Sequence, residues 1–194
     1  GGEAGPASRV GDTGLAVGGF HAGAPPGVWR AFGAVLNVGG GEEHEGMHGD
    51  PRYLCVPAAE GKRADPAKGW WQDTLLPRAL RFARRHAGAR LLVHCTRGDT
   101  RAPAVAAALL AAGHGTPSGI LGGAAGQPAV GKEDLRRALV TIQRFHPYCA
   151  VPRRIMQQLN VFFMTPGAGW SAWRAADDGD QGGDAASAAG PAGP

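Results

Sequence analysis

Cysteine is scarce in this sequence, with three residues among 194. Cys55, Cys95 and Cys149 lie far apart and form no Cys-x-x-Cys pair, which argues against a disulfide framework and against a zinc site. So few cysteines without a pairing pattern are typical of a reducing compartment. We therefore expect a cytoplasmic protein, and the sequence suggests neither a metal ion nor another cofactor.

The sequence also lacks a long apolar run and a leader. The longest weakly polar run, APAVAAALLAAG at residues 102–113, is much shorter than the roughly 20 apolar residues that cross a bilayer. The first residues, GGEAGPASRV, contain neither an initiator Met nor the basic and apolar regions of a signal peptide. The sequence thus excludes a membrane span, and we expect the chain to be the C-terminal piece of a longer protein.

Acidic residues are concentrated at one end of the chain. Residues 175–194 contain four Asp residues and no Lys or Arg, and the remaining chain has 20 basic and 12 acidic residues, a net charge of +8. That balance suits a phosphate-rich partner such as a nucleic acid or a phosphorylated ligand. A genome that favours Arg codons explains the same balance equally well.

The two ends and one internal segment are predicted to lack regular structure. Residues 1–10 resemble a flexible segment, and residues 169–194 resemble a disordered, acidic, low-complexity tail. The segment GGGEEHEGMHGD at residues 39–50 contains two His and three Glu, and a solvated surface loop is a better interpretation than a metal site. Residues 11–168 are then expected to form one domain.

Strand and helix patterns alternate along that domain. Three amphipathic patterns predict helices within residues 75–86, 132–145 and 152–164. Trp70 and Trp71, before the first of these, are expected to pack over the edge of the core rather than to stack on bases. Four short apolar runs predict β-strands: GLAVGG from Gly14, FGAVLNV from Phe32, YLCVP from Tyr53 and RLLVHC from Arg90. This alternation predicts an α/β fold that binds ligands where strands end and helices begin.

The run LLVHCTRGDTRAP contains such a junction. Cys95 and Arg101 flank Gly98, which permits a tight loop of backbone N–H groups that can hold a phosphate. The positive end of the next helix and a planar guanidinium would add to the anion site. The same field stabilises a thiolate that can attack phosphorus, and His94 is expected to orient the loop through hydrogen bonds. The predicted phosphate-binding residues are Cys95, Thr96, Arg97, Gly98, Asp99, Thr100 and Arg101.

These residues resemble the HCxxGxxR signature of cysteine-dependent phosphatases, particularly the dual-specificity type. The motifs FGAVLNVG, YLCVP and HPYCAVPRRIMQQLNVFF extend the resemblance to residues 14–164. It implies a dual-specificity phosphatase-like α/β fold, with a central, mostly parallel sheet flanked by helices. It also implies that Cys95 is the nucleophile, Arg101 binds the phosphate, and Asp65 or Glu60 is the general acid. Ala102 stands where that family usually has Ser or Thr.

The C-terminal half is also similar to the C-terminal domain of initiator tRNA ribosylphosphate transferases. The matching features are GKR at residues 61–63, Lys132, PRR at residues 152–154, and the LN-x-F-x-M pattern that ends at Met164. This resemblance implies transfer of a 5′-phosphoribosyl group from phosphoribosyl pyrophosphate to the 2′-OH of adenosine 64 in initiator tRNA. It implies initiator tRNA and phosphoribosyl pyrophosphate as partners, and a preceding N-terminal catalytic domain.

Three functions therefore stay open. The domain binds tRNA or donor phosphate for such a transferase, or it is an active phosphatase that forms a phosphocysteine intermediate, or it is an RNA-binding module without chemistry. Several basic residues are candidates for RNA contacts: Lys62, Arg63, Lys132, Arg136, Arg137, Arg153 and Arg154. For Arg136, Arg137 and Arg144, each taken singly, the solvated side of one helix is a slightly better interpretation.

Overall fold

The computed structural model describes residues 7–41, 43–57, 69–116 and 130–180. Within these ranges the strands form one sheet in the order β1-β2-β5-β3-β4. Strands β2, β5, β3 and β4 are parallel, and β1 is antiparallel to β2. The strands are β1 (Ser8–Arg9), β2 (Leu15–Gly18), β3 (Ala34–Gly40), β4 (Tyr53–Pro57) and β5 (Leu91–His94). The predicted α/β fold with a mostly parallel sheet is confirmed.

The helices in the described ranges pack mainly on one face of this sheet. They are α1 (Val28–Ala31), α2 (Leu76–Arg85), α3 (Arg101–Ala111), α4 (Lys132–Phe145), α5 (Arg153–Met164) and α6 (Gly169–Asp180), together with a 3₁₀ turn (Phe20–Gly23) and a π-helical turn (Trp70–Leu75). The three helices predicted from periodicity correspond to α2, α4 and α5. No helix in these ranges has the length and apolar character that a bilayer span requires.

Alternation along the strands separates the core into two layers. In β5, Leu91 and Val93 belong to the large cluster that the helices cover, whereas Leu92 faces a smaller cluster on the opposite side. Successive side chains of a strand point to opposite faces, so both faces of this sheet are buried. Helix α3 contacts β2, β3 and β5 on one side and α4 on the other. Its many buried alanines allow this close approach.

The register of the sheet brings three strand ends together. His94 of β5 lies beside Gly18 of β2 and Asn37 of β3. Cys95 follows directly, and α3 begins six residues later at Arg101. The loop between them therefore lies at the carboxyl edge of the sheet, where α/β proteins bind their ligands.

The structure corrects the predicted limits of the domain. Ser8 and Arg9 pair with Val17 and Ala16, and Val10 is fully buried, so the end of the segment 1–10 is ordered. At the other end α6 occupies the first residues of the segment 169–194, for which the sequence predicts a disordered tail.

Two indole rings explain the additional helix. Trp170 and Trp173 are buried and stack with ring centres 5.2 Å apart, and Trp170 contacts the ring of Phe163 in α5. A buried tryptophan removes a large apolar area from water. This burial fixes the first turns of α6 against the domain.

The segment 39–50 is largely exposed beyond the end of β3, as predicted for a surface loop, but two of its side chains are buried. Met47 is almost fully buried in the smaller core cluster, and His44 stacks on Phe20 with ring centres 4.0 Å apart. These two side chains attach the loop to the second face of the sheet.

Candidate anion-binding site

The loop from Cys95 to Arg101 is fixed at its base by two backbone hydrogen bonds. The Cys95 N–H donates to the carbonyl of Gly18 at 3.3 Å, and the Phe20 N–H donates to the carbonyl of Thr96 at 3.1 Å. These bonds join the start of the loop to the end of β2 and to the 3₁₀ turn. Cys95 is only 4% exposed, so its thiol lies at the bottom of the loop.

Gly98 gives the loop its curvature. Its φ of +81° lies in the left-handed region, and a Cβ built on it would lie 2.6 Å from the carbonyl carbon of Gly18, a separation that no side chain can occupy. In this conformation the Gly98 N–H points back to the sulfur of Cys95, with 3.2 Å between N and Sγ. A backbone N–H directed at the sulfur stabilises negative charge at that position.

Arg101 is held at the opposite side of the loop. Its Nη1 donates a hydrogen bond to the carbonyl of Gly39 at 3.0 Å, and its Cζ lies 5.7 Å from the ring centre of Trp70. Trp70 is fixed in turn, because its indole N–H donates to the carbonyl of Pro57 at 2.9 Å. The guanidinium thus lies between the end of β3 and an aromatic ring, a position in which it can contribute a fixed positive charge.

The remaining loop residues have different environments. Arg97 is 75% exposed and forms an ion pair with Asp99 at 2.8 Å. Thr96 donates weakly to Gly39 at 3.5 Å, and Thr100 accepts the first hydrogen bond of α3 from Ala104. The Asp99 carboxylate adds negative charge to the rim of the loop, which the Arg97 guanidinium balances.

His146 is a site residue that sequence reasoning missed. The side chain is buried, and its Nε2 donates to the carbonyl of Gly98 at 2.9 Å, while its Nδ1 lies 2.8 Å from the hydroxyl oxygen of Ser8. A carbonyl oxygen only accepts, so Nε2 carries a proton, and the second hydrogen bond joins Nδ1 to the Ser8 hydroxyl. The partners are 48 and 138 residues away in sequence, and no local pattern could have indicated them.

His94 does not make the hydrogen bonds that we predicted for it. Neither ring nitrogen has a hydrogen-bond partner among the described residues, and the ring packs near Phe20 and His44. Burial, together with the nearby His44, lowers the pKa of His94 to about 3, although the backbone of Cys95 opposes part of the change. His94 is therefore a neutral packing residue beneath the loop.

The other two cysteines, Cys55 and Cys149, are also buried. Burial, together with the nearby Glu43, raises the pKa of the Cys55 thiol to about 11. Burial also raises the pKa of Cys149. Both thiols are protonated at neutral pH, and a protonated thiol is a poor nucleophile.

The structure brings only part of the predicted basic set to the loop. Ala150 donates a backbone hydrogen bond to the carbonyl of Asp99 at 2.7 Å, so Arg153 and Arg154, at the start of α5, follow closely. Lys132, Arg136 and Arg137 lie on α4, which reaches the loop at its other end. A helix of this length places Lys132 about 20 Å from that end. Glu60, Lys62, Arg63 and Asp65 lie outside the described residues.

The charge at the far end of α4 is also partly neutralised. Arg137 pairs with Asp134 at 2.7 Å. The N–H of Gly131 and the Arg137 guanidinium together lower the pKa of Asp134.

Trp70 and Trp71 are both buried, as predicted.

A family model identifies the group of proteins to which this loop belongs. The model of the Rit1 DUSP-like domain matches residues 52–163, from β4 to the last turn of α5. The chain belongs to the Rit1 DUSP-like family. The predicted resemblance to the phosphatase-like domain of initiator tRNA ribosylphosphate transferases is thereby confirmed. No curated protein gives a significant match to the sequence.

Solved dual-specificity phosphatases share the fold of this Rit1 DUSP-like domain. DUSP15 aligns with a TM-score of 0.58 at 17% identity, over 89% of this chain and 96% of that one. The phosphatase domain of Yvh1 from Chaetomium thermophilum aligns with a TM-score of 0.57 at 21% identity, over 80% of this chain and 94% of that one. Human DUSP28 aligns with a TM-score of 0.55 at 21% identity, over 82% of this chain and 93% of that one. At these identities the similarity establishes the phosphatase-like fold alone.

Proposed function

We propose that this domain binds a phosphate group of its substrates in the Cys95 loop, as part of an initiator tRNA ribosylphosphate transferase. The observation that carries the proposal is the pair of groups that Gly98 and Arg101 contribute to the loop. Gly98 provides an N–H aimed at the Cys95 sulfur, and Arg101 provides a guanidinium fixed against the end of β3. Both groups favour the binding of an oxyanion. Membership of the Rit1 DUSP-like family supports tRNA as the source of that phosphate.

In the proposed reaction the 2′-oxygen of adenosine 64 forms a bond to the ribose C1 of phosphoribosyl pyrophosphate. Pyrophosphate leaves, and the hydroxyl proton is released. The residues described here would orient a phosphate of tRNA or of the donor, while a preceding N-terminal domain would provide the transfer chemistry. Arg153 and Arg154 extend the positive surface around the loop, whereas Asp99 balances the charge of Arg97.

A phosphatase is the second candidate, because the cysteine and arginine that such enzymes need are both present in one loop. The Cys95 thiolate would attack phosphorus, an acid would protonate the leaving oxygen, and water would then hydrolyse the phosphocysteine. Asp65 and Glu60 are the candidates for that acid. Ala102, which follows Arg101, offers no hydroxyl to assist the second step.

Two assays separate these functions. The chain is first incubated with an aryl phosphate, and the phosphatase hypothesis predicts turnover that disappears in the Cys95→Ser variant. The full-length parent protein is then incubated with initiator tRNA and labelled phosphoribosyl pyrophosphate. The transferase hypothesis predicts labelling of the tRNA that survives Cys95→Ser and falls in Arg101→Ala.

A matched control is available in Arg85→Ala, which removes an exposed arginine at the last residue of α2 that we have not proposed to bind RNA. The extent of tRNA labelling by this variant should equal that by the unchanged protein. Aryl phosphate turnover without tRNA labelling would reject the transferase hypothesis. If neither reaction occurs, tRNA binding that weakens steeply with salt would support a binding module without chemistry.

A further inference from the structure

An exposed aromatic ring lies beside the anion loop. Tyr148 is 82% exposed, and it lies between His146 and Cys149 in the short segment that joins α4 to α5. Large exposed aromatic residues are frequent in binding sites, where the ring provides contact area with little loss of side-chain freedom. A tyrosine in this position is not needed for the core.

The backbone presents this ring rigidly. The Cys149 N–H donates to the carbonyl of His146 at 3.1 Å, which closes a turn with Pro147 and Tyr148 at its centre. Proline favours the first central position of such a turn because its φ is already fixed. Tyr148 therefore lies at the tip of a closed turn.

Both ends of the turn are attached to the loop. His146 donates to the carbonyl of Gly98 at 2.9 Å, and Ala150 donates to the carbonyl of Asp99 at 2.7 Å. The Tyr148 ring meets the His146 ring edge to face, with ring centres 6.4 Å apart. Only the imidazole separates the tyrosine from the backbone that surrounds the Cys95 sulfur.

We infer that Tyr148 stacks on the base of an unpaired nucleotide whose phosphate occupies the Cys95 loop. The inference rests on the proposed function and specifies its ligand. In a nucleotide only the sugar separates base and phosphate, and only the His146 ring lies between Tyr148 and the loop backbone. Proteins that bind single-stranded RNA combine an aromatic stacking surface with positive charge along the backbone.

The surrounding charge favours RNA over a phosphorylated peptide. Arg153 and Arg154 at the start of α5 are exposed, and without the last 20 residues the chain has a net charge of +8. Such charge can engage the phosphates on either side of the bound nucleotide. A phosphotyrosine peptide would offer an aromatic ring to Tyr148 but no additional phosphates to these arginines.

The test uses the whole chain and a short single-stranded RNA that contains 2-aminopurine next to a phosphate. We expect Tyr148→Ala to weaken RNA binding about 10-fold and to abolish the quenching of 2-aminopurine fluorescence. Tyr148→Trp should restore both. Inorganic phosphate should displace bound vanadate from all three proteins at concentrations that agree within about twofold, because phosphate has no base to stack.

Two matched reagents exclude an indirect effect. Val161→Ala truncates another exposed apolar side chain, on α5, and should leave RNA binding unchanged. An RNA with an abasic site in place of 2-aminopurine should bind equally well to the unchanged protein and to Tyr148→Ala. Equal affinity of Tyr148→Ala and the unchanged protein for the intact RNA would overturn the inference.

The outcomes also separate this inference from the proposed function. If RNA binding falls in Arg101→Ala but not in Tyr148→Ala, the loop binds RNA phosphate and the stacking inference alone is wrong. If Arg101→Ala and inorganic phosphate leave RNA binding unchanged, the proposed function fails as well. If Tyr148→Ala weakens the binding of a phosphotyrosine peptide but not of the RNA, the surface recognises a protein and the stacking inference is wrong.

Discussion

The imidazole of His146 and the carbonyl of Gly98 form a hydrogen bond of 2.9 Å at the back of the anion loop. The same ring lies 2.8 Å from the Ser8 hydroxyl. One buried histidine therefore connects the N-terminal strand β1, the end of α4 and the glycine on which the loop turns. It is a positioning residue, because it acts on the loop backbone and not on a bound anion.

Removing the His146 ring should loosen the loop. His146→Ala leaves the Gly98 carbonyl without this donor, and we expect the free energy of unfolding to fall by about 1–3 kcal/mol. Vanadate affinity should fall as well, and His146→Gln, which keeps an N–H donor, should recover part of it. Urea denaturation and vanadate titration provide the two measurements.

Ser8 gives an independent test of the same connection. If Ser8 acts through His146, Ser8→Ala should destabilise the unchanged protein and have little further effect in His146→Ala. Contacting residues show such non-additivity in double-mutant cycles. Additive effects of the two substitutions would contradict the proposed bridge.

Gly98 should not tolerate a side chain. Gly98→Ala combines a positive φ with a Cβ only 2.6 Å from Gly18, so the loop has to move, and we expect vanadate binding to be lost. Gly88→Ala is the matched control, because Gly88 has a φ of +86° but nothing within 4 Å of a Cβ. It should cost about 1 kcal/mol of stability from backbone strain and leave vanadate binding intact. Equal vanadate affinity in the two variants would show that Gly98 is not needed for the loop.

The buried His94 should make the fold sensitive to acid. Its folded pKa of about 3 lies below the ordinary value of 6.5, so between these pH values the unfolded chain binds a proton that the folded chain does not. The contribution of the neutral His94 to the free energy of unfolding is complete above pH 6.5. It is lost as the pH falls towards 3, by up to about 1.4 kcal/mol per pH unit.

A non-titrating variant isolates this effect. Burial also lowers the pKa of His114, but His114 is present in both proteins being compared. Urea denaturation of the unchanged protein and of His94→Asn at pH 7, 6 and 5 should give a smaller decline in the variant. Parallel declines would mean that His94 does not remain neutral in the folded chain.

The indoles of α6 should contribute to the stability of the domain. Trp170→Ala removes a ring that is buried against Phe163 and Trp173, and a loss of about 3–5 kcal/mol is expected. Ser171→Ala, at an exposed position on the same helix, should change stability by less than about 0.5 kcal/mol. Similar thermal unfolding of both variants would place α6 outside the folded domain.

Local patterns were sufficient to predict most of the sheet and the long helices. β2, β3, β4 and β5 are apolar runs bounded by turn residues, and α4 and α5 repeat an apolar face at helical spacing. These signals arise from burial of one side of each element, which the order of the residues encodes directly. The loop between Cys95 and Arg101 was found in the same way, because glycine and charge at fixed spacing are visible in sequence.

The elements that were missed depend on distant partners. β1 has two residues and exists because Ser8 and Arg9 pair with β2, which no local pattern specifies. α6 begins in a Gly- and Ala-rich segment, and its only signal was the spacing of Trp170 and Trp173. The assignment of loop hydrogen bonds to His94 instead of His146 failed for the same reason, since both interactions are tertiary.

The hydrogen bond between Arg101 and the Gly39 carbonyl has a thermodynamic consequence for recognition. An arginine that is free in solvent loses up to about 2 kcal/mol of rotamer entropy when a ligand immobilises it. Here folding has already ordered that side chain, so an incoming oxyanion meets a preorganised cation. Association should then proceed with little rearrangement of the protein, and the empty site should already have the shape of the occupied one.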